Sequence, residues 1–342
     1  MNELVGAVLT RPSIDTDRAA AILREQWGIG GDLRSLPSER DQNFAVSVDG
    51  RDRFVLKLSN ATEDVAFLDL QHRAMARLVV AGVPCQVPVI TIDGREMFDV
   101  GPDGSPTLAR LLTWLPGRPL ATIPPGQRSD ELLADLGRVM GRTATALGTF
   151  DHPAAHREFQ WEAEHGLAVI ATHRPAVANP SRAVLLARWV GRLASLQGVL
   201  PALRHGVIHN DANDHNVLVD DGAEQIAGLL DFGDAVHSVV ANELAVAAAY
   251  AALATDDPLA IIAAIREGFE ETCPLRSDER AVLVELVALR LATSVALSAH
   301  QSRLDPDDAY LTVSEAPAWA LLEDLIAIDP AKAAARVAED GR

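Results

Sequence analysis

Lysine is nearly missing from this chain: 28 of its 30 basic residues are Arg, and the two lysines are Lys57 and Lys332. A Lys kept inside an apolar segment such as RFVLKLS (53–59) therefore asks for a reason. Cysteine is also scarce. Cys85 and Cys273 are too few for a disulfide framework and lack metal-ligand spacing. Positive charge is in deficit, with 48 acids against 30 bases and a net charge of −18. That balance argues against a nucleic-acid partner, which needs a basic patch. Half of the net charge falls in residues 256–342, which hold 17 acids and 8 bases and read as a solvated acidic surface. No membrane span is expected, because the apolar stretch around 239–254 is broken by Glu243 and is short. The opening MNELVGAVLTRPSIDTD has neither a basic start nor a long apolar run, so a cytoplasmic protein without a signal peptide is expected. What remains is an ordinary globular composition, 48% hydrophobic and 23% charged, sized for one large domain or two modest ones.

Periodicity divides the chain in two. Residues 16–27 read as a helix capped by Thr16 or Asp17 and stopped at Gly28; the following GIGG is then a helix end. QNFAVSV (42–48) and RFVLKLS (53–59) alternate around VDGR, a hairpin signal. An amphipathic helix over 62–81 ends at Gly82, and VPVITI (87–92), EMFDV (96–100) and TLARLLTWL (107–115) complete a mainly antiparallel sheet. Beyond Pro116-Gly117 helices are expected at 129–148, 156–172, 182–203, 240–254, 258–271, 277–303 and 315–327, interrupted by a strand pair over 216–231. A sheet lobe followed by a larger helical lobe is an α+β layout.

The chemistry concentrates in HNDANDHNVLVDDGAEQIAGLLDFGD (209–234). VLV and IAGLL flank the turn DDG, and a hairpin folded about 222–224 sets Asn216 opposite Asp231. Asp211 lies in the polar loop at the same end. A carboxylate able to act as a base, beside an amide oxygen and a second carboxylate, suits magnesium and phosphoryl transfer. Mg²⁺ takes a few hard oxygen ligands from protein and the rest from phosphate and water.

The pattern His209-x-Asp211-x4-Asn216, hairpin, Asp231-Phe232-Gly233 resembles the catalytic loop and metal motif of the protein-kinase-like fold. It is similar to the aminoglycoside phosphotransferase and choline kinase branch, and most of all to its hydroxylysine kinase-type members. Asn210 stands where those proteins usually have Gly, and Asn is the residue next most tolerant of unusual backbone angles. The resemblance implies a two-lobed kinase fold: residues 1–112 a nucleotide-binding lobe, 113–117 a hinge, 118–342 a helical lobe with the catalytic loop and acceptor site. Asp211 would orient or deprotonate the acceptor hydroxyl, His209 would brace the loop, and Asn216 and Asp231 would hold Mg²⁺. Lys57 would grip the nucleotide phosphates, paired with Asp69 or Gln71 on the following helix.

There is no GxxxxGK[ST] and no GxGxxG after a strand, so the loop SERDQNF (38–44) is the phosphate-covering candidate, through Ser38, Asp41, Gln42 and Asn43. Main-chain groups near Thr113 and Leu115 in the hinge would meet the base. The resemblance also implies that Glu243 supports the catalytic loop. Asp234, His237, Glu243 and Arg290 are candidates for the acceptor site. The implied partners are ATP or GTP, Mg²⁺ and a hydroxylated amino acid or amino alcohol, with 5-hydroxylysine first and aminoglycoside, homoserine, choline or ethanolamine as alternatives. A separate or fused phospho-lyase is a further implied partner. Two rival readings stand beside this one. The two His and two Asp of HNDANDH (209–215) suggest a zinc hydrolase. Without an acid at the usual place on the helix, the chain could also be a non-catalytic kinase-like module.

Overall fold

The computed structural model describes residues 11–38, 41–101, 106–304 and 315–339. Residues 39 and 40 of the SERDQNF loop and most of the opening segment lie outside them. The chain forms two compact units, one of Met1–Val80 with Pro84–Pro116, the other of Ala81–Val83 with Gly117–Arg342.

The first unit opens with α1 (Thr16–Trp27), whose N-cap is Asp15, one residue before the expected cap; its carboxylate accepts from the Arg18 N–H. Gly28 closes the helix at φ 67°. Strands β1 (Asp32–Leu36), β2 (Gln42–Val48) and β3 (Arg51–Leu58) follow as an antiparallel meander. The β2–β3 turn is Asp49-Gly50 with both φ positive, 51° and 73°, which matches the twist of the flanking strands. Helix α2 (Val65–Val80) leads to β4 (Pro88–Val89), β5 (Phe98–Asp99) and β6 (Leu108–Thr113). The sheet order is β1-β2-β3-β6-β4, with β5 also on β6. The two strands expected at 87–92 and 96–100 shrink to two residues each. Between them Thr91 folds the chain back, accepting from the Arg95 N–H and donating to Asp93. One sheet face packs Phe44, Val46, Leu56, Leu58, Ala109 and Leu111 against Ala19, Ile22 and Leu23 of α1. Lys57, alternate to Leu56 and Leu58, lies on the other face.

The second unit begins with β7 (Arg118–Pro119) and α3 (Asp130–Leu147), capped by Ser129. Then come α4 (Gly166–His173), α5 (Pro180–Leu193), α6 (Leu196–Val199), β8 (His205–Ile208), β9 (Val217–Val219), β10 (Ile226–Leu229) and β11 (Val236–Val239). The rest is helical: α7 (Ala241–Ala251), α8 (Pro258–Glu270), α9 (Ser277–Ala281), α10 (Leu283–Leu304), α11 (Glu315–Ala327) and α12 (Pro330–Ala338). The helix expected over 156–172 forms only from Gly166, because residues before it are committed elsewhere: Arg157 Nη2 donates to Gly233 O and Glu162 accepts from Ser238. The segments Pro180–Ala202 and Leu283–Leu304 are long and apolar enough to cross a membrane by length and composition alone. The second is 78% buried within the protein, as a central core helix is.

Helices α3 and α8 meet at backbone contact. A Cβ on Gly268 would stand 1.9 Å from Ala134 O, and one on Gly137 2.0 Å from Ile265 O. Neither backbone can give way cheaply. Gly268→Ala is expected to lower stability by about 3 kcal/mol, whereas Gly198→Ala, with open space around it, should stay within about 1 kcal/mol. Urea unfolding midpoints of the two variants check this.

Candidate active site

Two strand pairings bring the ends of the 209–234 segment together. Strand β8 pairs with β11, Ile208 opposite Val236, so the chain leaves the sheet at His209 and returns just after Asp234. Strand β9 pairs with β10, Val217 opposite Leu229. Continued by one pair, this register sets Leu230, not Asp231, opposite Asn216, and the Leu230 N–H donates to Asn216 O at 2.8 Å. The symmetric hairpin expected from the sequence is thus one residue out, because its turn closes earlier, with the Asp220 N–H donating to Gln225 O, and the bulge between Ile226 and Gly228 recovers only part of that offset. Asp231 follows at φ 56°, with its Oδ1 accepting from the Gly233 N–H.

The loop itself is held by a buried acid. Glu243, fully enclosed at the start of α7, accepts from the His209 N–H at 2.6 Å and the Asn210 N–H at 3.4 Å. Both its oxygens are engaged, so it supports the loop and is not an acceptor contact. Burial pushes its carboxyl up to about 7. Asn210 adopts φ 66°, and its side chain is tied to Trp161 O and Asn242. This is the left-handed conformation that a Gly would take without strain and that Asn tolerates. His209 is also fully buried; its Nε2–H donates to Leu230 O at 2.9 Å and its Nδ1 accepts from the Asp211 N–H at 3.2 Å. With both nitrogens used, the ring is neutral, and burial holds it down at about 4. Such a histidine braces the loop and has no nitrogen left for zinc.

Asp211 comes out of this frame with its carboxylate surrounded by donors. Oδ1 accepts from Asn213 Nδ2 and Arg290 Nη2, both at 2.9 Å, and Oδ2 from Asn216 Nδ2 at 2.6 Å. Burial and then the charge of Asp234 raise its proton affinity well above that of an ordinary carboxyl, while Arg290 opposes them. Asn216 Nδ2 also donates to Asp211 O, which turns the amide oxygen away from Asp211. Asn216 Oδ1 and the Asp231 carboxylate are hard oxygen donors at one end of the β9–β10 hairpin, a set that fits Mg²⁺. Among the described residues, no three His, Cys, Asp or Glu side chains converge as a metal cage.

In the first unit, Asn43, Lys57 and Arg110 stand in a row across β2, β3 and β6. The expected partners of Lys57 are taken. Asp69 pairs with Arg73 one turn on, and Gln71 accepts from Arg110 Nη1 at 2.7 Å. An i, i+4 guanidinium and a cross-strand guanidinium outcompete the lysine in reach. Other expectations also change. Gln42 is a clamp on Ile14, accepting from its N–H and donating to its C=O. Ser38 accepts from the Asp41 N–H, and Asp41 accepts from the Asn60 N–H. Thr113 spends its N–H on Val87 O and its C=O on Gln86, which leaves Leu115 as the remaining hinge candidate.

A sequence profile described as the phosphotransferase enzyme family matches residues 32–283. The chain belongs to the phosphotransferase enzyme family. It is 28% identical to hydroxylysine kinase of Bos taurus, over 93% of this chain and 90% of that one. It is 30% identical to hydroxylysine kinase of Danio rerio, over 89% of each. Among solved structures it is similar to amicoumacin kinase hAmiN in complex with AMP-PNP, Ca²⁺ and Ami, with a TM-score of 0.72, 16% identity and coverage of 93% and 97%. It is similar also to a microcompartment-associated aminopropanol kinase, with a TM-score of 0.71, 20% identity and coverage of 92% and 98%. The fold is therefore protein-kinase-like, and the chain is a small-molecule phosphotransferase that acts on a hydroxyl group with a nucleotide as donor. The hydrolase and non-catalytic readings fall with that membership.

Within this phosphotransferase, sequence reasoning missed Asn213, which fixes Asp211, and the role of Trp161, whose ring lies 4.2 Å from the Arg290 guanidinium. Asn213 carried a signal, since Asn favours side-chain turns with the backbone two residues on: its Oδ1 accepts from the His215 and Asn216 N–H groups. His237 stacks on His156 at 4.4 Å and lies 5.8 Å from His205, a ring series along β8 and β11.

The two buried supports titrate in opposite senses. His209, held below its ordinary 6.5, contributes stability that is full above pH 6.5 and lost as pH falls through about 4. Glu243, held above its ordinary 4.5, contributes stability that is full below pH 4.5 and lost as pH rises through about 7. Between pH 4.5 and 6.5 the two offset each other. Removing the acid in Glu243→Gln should make stability rise more steeply with pH in that window. Removing the imidazole in His209→Gln should make it fall with pH. Urea unfolding free energies at half-unit pH steps read both slopes.

Proposed function

We propose that this chain transfers the γ-phosphate of ATP or GTP to the hydroxyl of a hydroxylated amino acid or amino alcohol, with 5-hydroxylysine the first choice. The observation that carries the acceptor class is the similarity to hydroxylysine kinases along about nine-tenths of both chains, set beside a loop that presents Asp211 on a rigid frame. In this reading residues 1–112 bind the nucleotide, 113–117 are the hinge and 118–342 carry the acceptor site. Asp211 aligns the acceptor hydroxyl and takes up its proton during attack. Lys57 meets the phosphates, with Asn43 of β2 beside it. Asn43 is the cross-strand neighbour of Lys57, and its Oδ1 is buried without a hydrogen-bond partner, a polar group suited to a ligand contact. Asn216 and Asp231 would hold Mg²⁺, which supplies positive charge against the phosphate oxygens. Placement and charge of this kind supply most of the rate in phosphoryl transfer.

The reading places the enzyme in the cytoplasm, without a nucleic-acid or membrane partner. A phospho-lyase, separate or fused, would consume the product. Homoserine, choline, ethanolamine and aminoglycosides are the competing acceptors. A coupled assay across these hydroxylated amines, run with ATP and with GTP, should give 5-hydroxylysine the highest kcat/KM. A higher value for choline or an aminoglycoside overturns the acceptor assignment.

Asp211→Asn keeps the shape of the side chain but removes the base. It should cut kcat by about 10²-fold or more with little change in nucleotide affinity. Near-normal turnover would remove Asp211 from the mechanism.

A further inference from the structure

The Asp211 carboxylate is more constrained than a base needs to be for proton transfer alone. An ionised carboxylate offers roughly four acceptor positions. Asn213 and Arg290 take two on Oδ1, and Asn216 takes one on Oδ2. One position is left, and it lies on Oδ2.

Arg290 is the unusual member of this set. It reaches Asp211 from the middle of the core helix α10, and its side chain is only 4% exposed. The guanidinium carbon lies 4.2 Å from the centre of the Trp161 ring and 5.6 Å from that of Tyr250. Nη2 donates to Asp211, while Nε and Nη1 are buried without a hydrogen-bond partner. A buried guanidinium that leaves two nitrogens unpaired is costly to hold. Aromatic faces, the charge-assisted bond to Asp211 and the nearby Tyr250 hydroxyl and Asp234 carboxylate offset that cost. An apolar side chain could fill the same space between the two rings, but it would leave the part-buried Asp211 carboxylate without its guanidinium.

We propose that Arg290 is a positioning residue of the phosphoryl transfer: set on the Trp161 ring, it occupies Oδ1 of Asp211 and thereby makes Oδ2 the atom that receives the acceptor proton. The step balances. The acceptor oxygen bonds to the γ-phosphorus as its proton passes to Oδ2. The bond from that phosphorus to the β–γ bridging oxygen breaks, the nucleoside diphosphate leaves with the electron pair, and the proton is later lost to solvent. Oδ2 is also the oxygen bonded to Asn216, so the attacking hydroxyl is drawn to the side of the carboxylate that faces the proposed metal ligand.

This inference rests on the reading of Asp211 as the base. It is tested with Arg290→Met, Arg290→Lys and Trp161→Leu in the full chain, by kcat, KM for acceptor and nucleotide, and thermal melting. Arg290→Met should lower kcat by about 10- to 100-fold while nucleotide KM stays within about threefold, the scale expected when a reacting group is misplaced by about 1 Å. Arg290→Lys, which keeps one charged donor and a cation beside the ring, should recover part of that loss, giving a kcat at least about threefold above that of Arg290→Met. Trp161→Leu removes the shelf and should cost about 10-fold in kcat with the same nucleotide KM.

A folded Arg290→Met with unchanged kcat overturns the proposal. So does a loss in Arg290→Met that Arg290→Lys does not relieve, or one that nucleotide KM and melting temperature share in proportion. If Arg290→Met does not fold, Trp161→Leu decides, and unchanged kcat there overturns the proposal. Nucleotide hydrolysis by water, which uses the same base, is measured in parallel. If the parent enzyme turns over no hydroxylated amine, the acceptor assignment fails, while the hydrolysis rates of the variants still report on Arg290.

Discussion

A single buried carboxylate sets the geometry of the loop from His209 to Asn216. Glu243 has no exposure to water and accepts from two consecutive backbone N–H groups, those of His209 and Asn210. Two adjacent N–H groups point at this one carboxylate, and the chain then turns at Asn210, whose φ is 66°. The turn swings the next residue, Asp211, back over the His209 ring, whose Nδ1 accepts its N–H. Nε2 of the same ring then reaches Leu230, the residue before Asp231. One acid thus orients one histidine, and one histidine ties the loop that carries Asp211 to the strand end that carries Asp231. Polar groups this deep are expensive unless all are paired, so the frame forms as a whole or not at all.

The fold was legible where periodicity and turn chemistry agree. The Asp-Gly hairpin, the stop of α1 at Gly28 and the mainly helical second half follow from local rules, and the motif from Asp211 to Gly233 follows from spacing. What was hidden is what tertiary contacts decide. Strands β8 and β11 are four residues each, too short for alternation to stand out, yet their pairing closes the site. The bulge in β10, which leaves no mark in an apolar run, recovers only part of the offset of the early turn. The segment 156–165 has helical spacing, but Arg157 is drawn to the Gly233 carbonyl and Glu162 to the Ser238 hydroxyl. Long-range side-chain bonds of this kind outweigh weak local preference.

The helix α2 shows why residue type alone misleads. A kinase-like fold invites a search for an acid facing Lys57, and the sequence offers Asp69 and a Gln at position 71. In the structure Gln71 faces the sheet and is buried, but its oxygen meets Arg110, the neighbour of Lys57 on β6. A neutral amide can hold a guanidinium without leaving a net negative charge in the sheet face. The helix is therefore docked by a contact that does not involve Lys57, and the ammonium is not needed to hold α2 in place.

The imbalance between Arg and Lys follows from how the cations are used. Arg128 is buried and spreads its fork over three carbonyls, those of Ile123, Ala251 and Leu120. Arg192 caps the end of α11 through Leu325 O and Ile328 O, and Arg204 grips both oxygens of the buried Glu279. Each of these needs a rigid, planar set of donors that a single ammonium cannot supply. Such positions join parts of the chain that lie far apart, so the guanidinium works as a structural staple here. At Lys57 the strand already has a guanidinium on one side, at Arg110, and a buried amide oxygen on the other, at Asn43. A second fork in that row would crowd the first, whereas a compact point charge on a flexible stem can sit beside it and turn toward an anion. The residue that composition alone sets apart is the one place in this row where donor geometry matters less than reach.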